Sequence, residues 1–172
     1  TFGNLVHRIL TIIRRNFDGR VPVPANLTEQ DVEIFSKTEV ALGRVGQYLE
    51  ICKFREALQV FMGLARDANR FLDSTAPWRL VKEDMDRAAS VLYTALHALA
   101  GLKVICSPFL PFTAQRLHHL LGFTGRFEEH GWTINSPESG TVLPEPTPLF
   151  AKLDDAIIVE QSERLAMQSK ES

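Results

Sequence analysis

The most regular apolar pattern in the chain lies near its middle, over residues 53–74. Its apolar side chains recur at intervals of three or four residues: Phe54, Leu58, Phe61, Ala65, Ala68 and Leu72. That spacing gathers side chains on one face of an α-helix. Because a helix with one apolar face buries that face against other elements, the pattern predicts helical partners elsewhere in the chain.

Four other segments carry the spacing of helices: residues 1–17, 28–50, 83–107 and 108–122. Thr28 followed by Asp31 is typical of a capped helix start, and Pro77 is expected to end the central helix. We therefore predict an all-α fold, a bundle of about five helices over residues 1–122.

Residues 123–172 have a different composition. Up to about residue 150 they are rich in glycine, proline and acidic side chains and show no sustained period, which favours loop structure. Over 154–168 the apolar spacing returns weakly. We predict an irregular C-terminal arm over 123–172 that ends in a possible last helix.

Composition and charge exclude several classes of protein. A net charge of −2 argues against a protein that coats nucleic acid without specificity, because such proteins carry a basic excess.

Cys52 and Cys106 each lie within an apolar helical pattern, so we expect two buried thiols and no disulfide framework. No apolar run approaches the ~20 residues of a membrane span, and no membrane partner is expected. Since the helical pattern is already running at Thr1, we expect the chain to be a piece of a larger protein.

The sequence contains few patterns that carry catalytic chemistry. The sequence contains no motif that pairs a catalytic nucleophile with a general base, and no glycine-rich phosphate-binding loop precedes a predicted helix. His118 and His119 are adjacent on a predicted helix, so their side chains diverge by about 100° and cannot ligate one metal ion from a single face. We expect both at the surface or its boundary, as we do for His7, His97 and His130. These patterns do not support a stand-alone enzyme.

Two polar features point to binding. Asn4 and Arg8 lie one helical turn apart, opposite the apolar face of the first helix, and Arg15 extends the same stripe. Trp78 directly follows Pro77, which fixes where the indole ring leaves the helix. A solvated helix face and a core tryptophan account for these features, and so does a surface where an unstacked base meets an amide, a guanidinium and an aromatic ring. The patterns alone leave both interpretations open.

Three stretches, in order, resemble the C-terminal anticodon-binding domain of methionyl-tRNA synthetase, a class I aminoacyl-tRNA synthetase. They are GNLVHR, FREALQVFMGLARDANRFLDSTAPWRLVKED and VLYTALHALAGLKVICSPFLPFTAQRLHHLLG. The resemblance covers residues 1–122 and resumes at PLFAKLD. It implies a helical bundle that reads the CAU anticodon of methionine tRNA.

The resemblance also implies site residues. In that family an asparagine and an arginine on the first helix, with the tryptophan of the Pro-Trp pair, contact anticodon bases. The matching positions here are Asn4, Arg8 and Trp78, which implies that Asn4 and Arg8 read the edge of a base stacked on Trp78. Four further residues are candidates for supporting roles, near Trp78 or toward phosphates: Asn69, Arg79, Lys82 and Arg15.

The catalytic motifs of the same family are missing from this sequence. Its activation chemistry depends on a His-Ile-Gly-His motif and a Lys-Met-Ser-Lys-Ser loop, and neither occurs here. We therefore expect RNA binding without aminoacylation, and neither a metal nor a cofactor for this chain itself. ATP with Mg²⁺ and methionine are expected for the parent enzyme, its catalytic domain as a partner, and the cytoplasm as its location. Two alternatives stay open: a sister class I synthetase for valine, leucine, isoleucine or cysteine, and a helical protein-interaction or scaffold domain.

Overall fold

The computed structural model describes residues 2–150 and five later positions, Ile157, Glu160, Ser162, Arg164 and Met167, all helical. Within these residues six α-helices follow one another: α1 (Phe2–Asn16), α2 (Glu29–Glu50), α3 (Phe54–Thr75), α4 (Pro77–Glu83), α5 (Met85–Cys106) and α6 (Pro111–Leu120). A 3-10 turn (Phe127–His130) lies in the arm. The predicted all-α bundle is confirmed, and the rest of the predicted helix over 154–168 lies outside the described residues.

Helix α5 is the centre of the bundle. It packs against α1, α2, α3, α4 and α6. By length and composition alone α5 is apolar enough to cross a membrane, so the expectation that no segment has this composition was wrong. However, 89% of its most apolar window is buried inside the bundle. Burial by the surrounding helices therefore accounts for the apolar composition of α5.

Helix α1 has the two faces that its sequence predicts. One face is buried in the core: Phe2, Leu5, Val6, Ile9, Leu10 and Ile13. On the opposite side Asn4 and Arg15 are exposed and Arg8 is half-buried. The first helix therefore seals the core with one face and presents polar groups with the other.

The start of α2 is fixed by a buried carboxylate. Oδ2 of Asp31 accepts a hydrogen bond from the backbone N–H of Thr28 at 2.8 Å, which confirms the predicted capping arrangement. The guanidinium of Arg87 on α5 forms an ion pair with the same oxygen. Burial raises the pKa of Asp31, but the bonds from Arg87 and Thr28 outweigh it and hold that pKa below its ordinary value. Asp31 thus ties α2 to α5.

Two details of the central helices differ from the prediction. Phe54 and Leu58 begin the apolar stripe of α3 but are 53% and 39% exposed, whereas Ala57 between them is buried. Cys52 was predicted to be buried in a helix, yet it is exposed in the turn between α2 and α3 with φ of +55°. Cys106 is buried as predicted, and burial raises the pKa of its thiol to about 12.

The arm crosses the bundle and contributes to its core. Its backbone bonds to the connector after α1, where the N–H of Val21 donates to the carbonyl of Thr141 at 2.9 Å. Leu143 and Leu149 are buried in the same core cluster as the helices. Over residues 123–150 the arm is therefore packed chain, although it lacks regular structure.

Two histidines that were expected near the surface take part in the interior. His118 is fully buried, because adjacent residues on a helix point about 100° apart and one of the pair faces the core. Nζ of the buried Lys103 lies 3.5 Å from Nδ1 of His118, and burial lowers the pKa of Lys103 to about 8. His97 is partly buried, and its Nδ1 lies 2.7 Å from the hydroxyl oxygen of Ser136 in the arm.

Candidate nucleic-acid interface

A sharp reversal between α3 and α4 positions Trp78. Helix α3 ends at Thr75, and Ala76 adopts the left-handed conformation with φ of +45°. This conformation is uncommon for a residue with a side chain and reverses the chain at once. Pro77 then occupies the first position of α4, where its fixed φ suits a helix start. The predicted end of α3 is confirmed, but Pro77 also begins a short helix that the sequence prediction missed.

The reversal brings Trp78 beside α1. Cζ of Arg8 lies 5.1 Å from the centroid of the Trp78 ring, within the range of a cation–π contact. The Trp78 residue is 39% exposed, so the ring borders solvent while Arg8 lies against it. The structure thus joins two of the three predicted base-contacting residues.

Asp73, on the last turns of α3, holds Arg8 in this place. Its Oδ1 accepts a hydrogen bond from Nη2 of Arg8 at 2.8 Å. The Arg8 and Asp73 side chains are 38% and 61% exposed, so the ion pair itself adds little to folding stability. It does orient the guanidinium, which carries five N–H donors and uses one here. The sequence interpretation gave Asp73 no role.

Asn4 lies one turn before Arg8 on the same face of α1 and is exposed. Its amide offers both a donor and an acceptor beside the Arg8–Trp78 pair. Asn4 and Arg8 therefore share one face of α1, and Arg8 joins that face to Trp78 of α4.

The supporting candidates lie around this surface with different local contacts. Asn69 is on α3, one turn before Asp73, and its Nδ2 donates to the carbonyl of Ala65 at 2.7 Å. Arg79 and Lys82 are exposed on α4, and Arg15 is exposed near the end of α1. The three cationic side chains are accessible to phosphate groups, while the amide of Asn69 bonds within its own helix.

Across residues 2–150 and the five described positions beyond them, no three histidine, cysteine or acidic side chains converge as metal ligands would. The surface instead offers an aromatic ring, a guanidinium and an amide. Those three groups suit unpaired nucleotides, which proteins hold by stacking and by hydrogen bonds to base edges.

Over residues 21–170 the sequence matches the family described as the anticodon binding domain of methionyl tRNA ligase. The chain belongs to this family. Its predicted function as an anticodon-binding domain of methionyl-tRNA synthetase is thereby confirmed. The family match therefore replaces the alternative interpretation of the chain as a general protein-interaction scaffold.

Curated relatives agree with the family assignment. The domain is 40% identical to the methionine–tRNA ligase of Roseiflexus castenholzii over 96% of the chain, and 42% identical to that of Dehalococcoides mccartyi (strain ATCC BAA-2266) over 97% of the chain. It spans 32% and 30% of those two proteins. The domain therefore corresponds to about a third of the length of the ligases that it matches.

Solved structures confirm the fold. The free form of Mycobacterium tuberculosis methionyl-tRNA synthetase aligns over 89% of this chain and 32% of its own, with a TM-score of 0.81 and 28% identity. The same enzyme in complex with methionyl-adenylate aligns over 88% of this chain and 30% of its own, with a TM-score of 0.80 and 27% identity. The helical bundle is thus the fold of a part of these synthetases.

Proposed function

We propose that this domain binds the anticodon loop of methionine tRNA and distinguishes CAU from other anticodons through Asn4, Arg8 and Trp78. The observation that carries the proposal is the contact of the Arg8 guanidinium with the half-exposed Trp78 ring. An aromatic ring that has one cationic neighbour and is partly exposed to solvent can stack with a base, and such stacking contributes about 1–3 kcal/mol per base. Asn4 and Arg8 then reach the hydrogen-bonding edge of that base.

Phosphate contacts complete the proposed interface. Arg79 and Lys82 on α4 and Arg15 on α1 are exposed near the surface of Asn4, Arg8 and Trp78. Each contact between a cation and a phosphate releases counterions, so the affinity for RNA falls as salt rises. Because the net charge is −2, we expect modest affinity from the isolated domain and a larger affinity from a whole ligase.

The wider role follows from the relatives. We propose that the domain serves a methionine–tRNA ligase, which joins methionine to its tRNA with ATP and Mg²⁺ and acts in the cytoplasm. The M. tuberculosis complex with methionyl-adenylate supports this use of methionine and ATP. In that arrangement the bundle over 1–122 reads the tRNA, the described arm over 123–150 packs on the bundle, and a catalytic domain of the same enzyme is its partner.

Binding of synthetic anticodon stem-loops tests the proposal. We expect the chain to bind a CAU stem-loop more tightly than stem-loops with valine, leucine, isoleucine or cysteine anticodons. Asn4→Ala should reduce this preference, because the amide that reads the base edge is lost. Tighter binding to another anticodon, or equal binding to all of them, contradicts the proposal.

A further inference from the structure

One lysine and one histidine meet inside the domain, where α5 packs against α6. Lys103 of α5 is 2% exposed and His118 of α6 is fully buried. Nζ of Lys103 lies 3.5 Å from Nδ1 of His118 and 4.4 Å from the centroid of the Phe123 ring. Across residues 2–150 and the five later described positions, no carboxylate forms an ion pair with Lys103. An imidazole and an aromatic ring therefore lie where a buried cation usually has an anion.

The neighbours of His118 determine which of its ring nitrogens carries the proton. Nε2 lies 3.2 Å from the carbonyl oxygen of Thr124, and because a carbonyl can only accept, Nε2 must donate. On the other side the ammonium of Lys103 can only donate, so Nδ1 must be unprotonated and accept. His118 is therefore neutral, and its imidazole connects α5 to the first residues of the arm.

The first turn of the arm, residues 123–131, is docked around this imidazole. The Phe123 ring stacks on His118 with centroids 5.0 Å apart and an interplanar angle of 19°. The His130 ring, at the end of the 3-10 turn, lies 5.0 Å from the His118 ring. Two backbone amides belong to this docking: the N–H of Phe123 donates to the carbonyl of His118 at 3.2 Å, and the N–H of Phe127 donates to Oε1 of Gln115 at 3.0 Å.

A proton added to Nδ1 of His118 would oppose this arrangement. The new N–H would point at the Lys103 ammonium, and two like charges would lie 3.5 Å apart in a buried site. Charges repel more strongly there than at the surface, because little water screens them. Only a neutral His118 is therefore compatible with the docked turn.

The surroundings of His118 also favour the neutral ring. Burial is the largest cause that lowers its pKa, and the Lys103 charge adds to it, while the hydrogen bond to Thr124 opposes them. The neighbouring imidazoles add positive charge when protonated, the nearby carboxylate is exposed and already paired, and burial keeps the α5 thiol neutral by raising its pKa to about 12. These further ionisable groups are His119 on α6, Cys106 on α5, and Glu128, His130 and Arg126 at the 3-10 turn.

We propose that His118 is an acid-sensitive latch, which holds the first turn of the arm against α5 and α6 while it is neutral and releases that turn when it is protonated. Release lets the imidazolium enter water, away from the ammonium of Lys103. The later part of the arm has attachments of its own, since the N–H of Val21 donates to the carbonyl of Thr141 and the N–H of Leu143 donates to the carbonyl of Gly19. The latch therefore acts on residues 123–131 alone.

Hydrogen exchange of single amides, followed by NMR between pH 7.5 and 5, tests the latch. After correction for intrinsic exchange rates, the amides of Phe123 and Phe127 should lose at least about tenfold in protection relative to those of Val21 and Leu143. The reason is that each pH unit below about 6.5 favours the protonated, open form by up to about tenfold. Equal changes at all four amides contradict a local latch.

Four variants identify the group that binds the proton. His118→Gln does not titrate and keeps an amide N–H for the Thr124 carbonyl, so the relative protection should no longer depend on pH. Lys103→Met removes the opposing charge, so the loss of protection should shift to lower pH. His119→Gln and His130→Gln remove the neighbouring imidazoles and should lose protection as the unmodified domain does. Circular dichroism checks that each variant is folded.

The ring nitrogens of His118 supply a test that needs no variant. At pH 7.5 their NMR chemical shifts should show a neutral ring with its proton on Nε2. A ring with its proton on Nδ1 overturns the latch. So does a loss of protection that persists in His118→Gln, or one that disappears in His119→Gln or His130→Gln.

Discussion

Arg8 lies over the Trp78 ring at 5.1 Å although the two residues belong to different helices. Three local features produce the contact: the left-handed Ala76 that turns the chain, the proline that starts α4, and the hydrogen bond that Arg8 donates to Asp73, which orients the guanidinium. Pro77 is also buried and α4 packs on α5, so the same reversal serves the core as well as the surface. A surface built this specifically is consistent with a site whose geometry serves recognition.

The exposure of Trp78 leads to a prediction about RNA binding. Replacing Trp78 with alanine should weaken binding of the CAU stem-loop by about 1–3 kcal/mol through the lost stack. It should lower the free energy of unfolding by less than the ~3–5 kcal/mol typical of a buried aromatic, because 39% of the residue is exposed. Titration of labelled stem-loop and urea unfolding measure the two effects.

Trp132 supplies the control for that experiment. It is 40% exposed, almost the same as Trp78, but lies in the arm near Gly46 of α2. Trp132→Ala should leave RNA affinity unchanged. If the two alanine variants lose RNA affinity equally, or if Trp78→Ala unfolds the domain, the assignment of Trp78 as a stacking platform is wrong.

The Arg8–Asp73 pair yields a second prediction. Asp73→Asn should raise affinity for all stem-loops slightly, because a negative charge near the phosphates is removed. The ratio of affinities for CAU over other loops should fall, since Arg8 loses the charged partner that orients it. Asp67→Asn is the matched control, because Asp67 pairs with Arg70 within the same α3 helix. A ratio that is unchanged in Asp73→Asn contradicts the orienting role.

The parts of this site that could be predicted are those that depend on local sequence. Helical periodicity placed Asn4 and Arg8 on the outer face of α1, and the Pro-Trp pair marked the junction at Trp78. The role of Asp73 could not be predicted, because its pairing requires α1 and α3 to lie side by side. The approach of Phe150 to Gly3 could not be predicted for the same reason, because it occurs only after the arm has crossed the bundle.

The buried side chains show the same limit. Periodicity identified the apolar core of α5, but it could not tell which of His118 and His119 faces inward. It also could not foresee that His97 meets a serine from the arm. Such contacts depend on which segments a fold brings together, and a single sequence without its fold does not specify them.

Two helical glycines allow a third prediction, in which the same change of glycine to alanine has opposite effects on stability at the two positions. A Cβ atom added at Gly101 on α5 would overlap the methyl group of Thr38 on α2, whereas one added at Gly63 on α3 meets nothing within 4 Å. Gly63→Ala should stabilise the domain by about 0.5–1 kcal/mol through helix propensity. Gly101→Ala should destabilise it by about 1–3 kcal/mol, as overpacked cores do. Thermal or urea unfolding checks both, and a gain in stability for Gly101→Ala would show that α2 and α5 are not so closely packed.

The last prediction concerns acid and the arm. Burial lowers the pKa of His97 from its ordinary value of 6.5 to about 4. The folded domain therefore keeps His97 neutral where the unfolded chain already binds a proton. The contribution of neutral His97 to the free energy of unfolding is fully present above about pH 6.5. It is lost as the pH falls toward 4, and the loss amounts to about 1–3 kcal/mol. His97→Gln does not titrate and retains an amide for Ser136, so its unfolding free energy, measured by urea between pH 7.5 and 4, should decline less steeply than that of the unmodified domain. Because all other titrating groups are common to both proteins, the difference between the two curves isolates His97, and parallel curves would show that its burial does not govern the acid sensitivity.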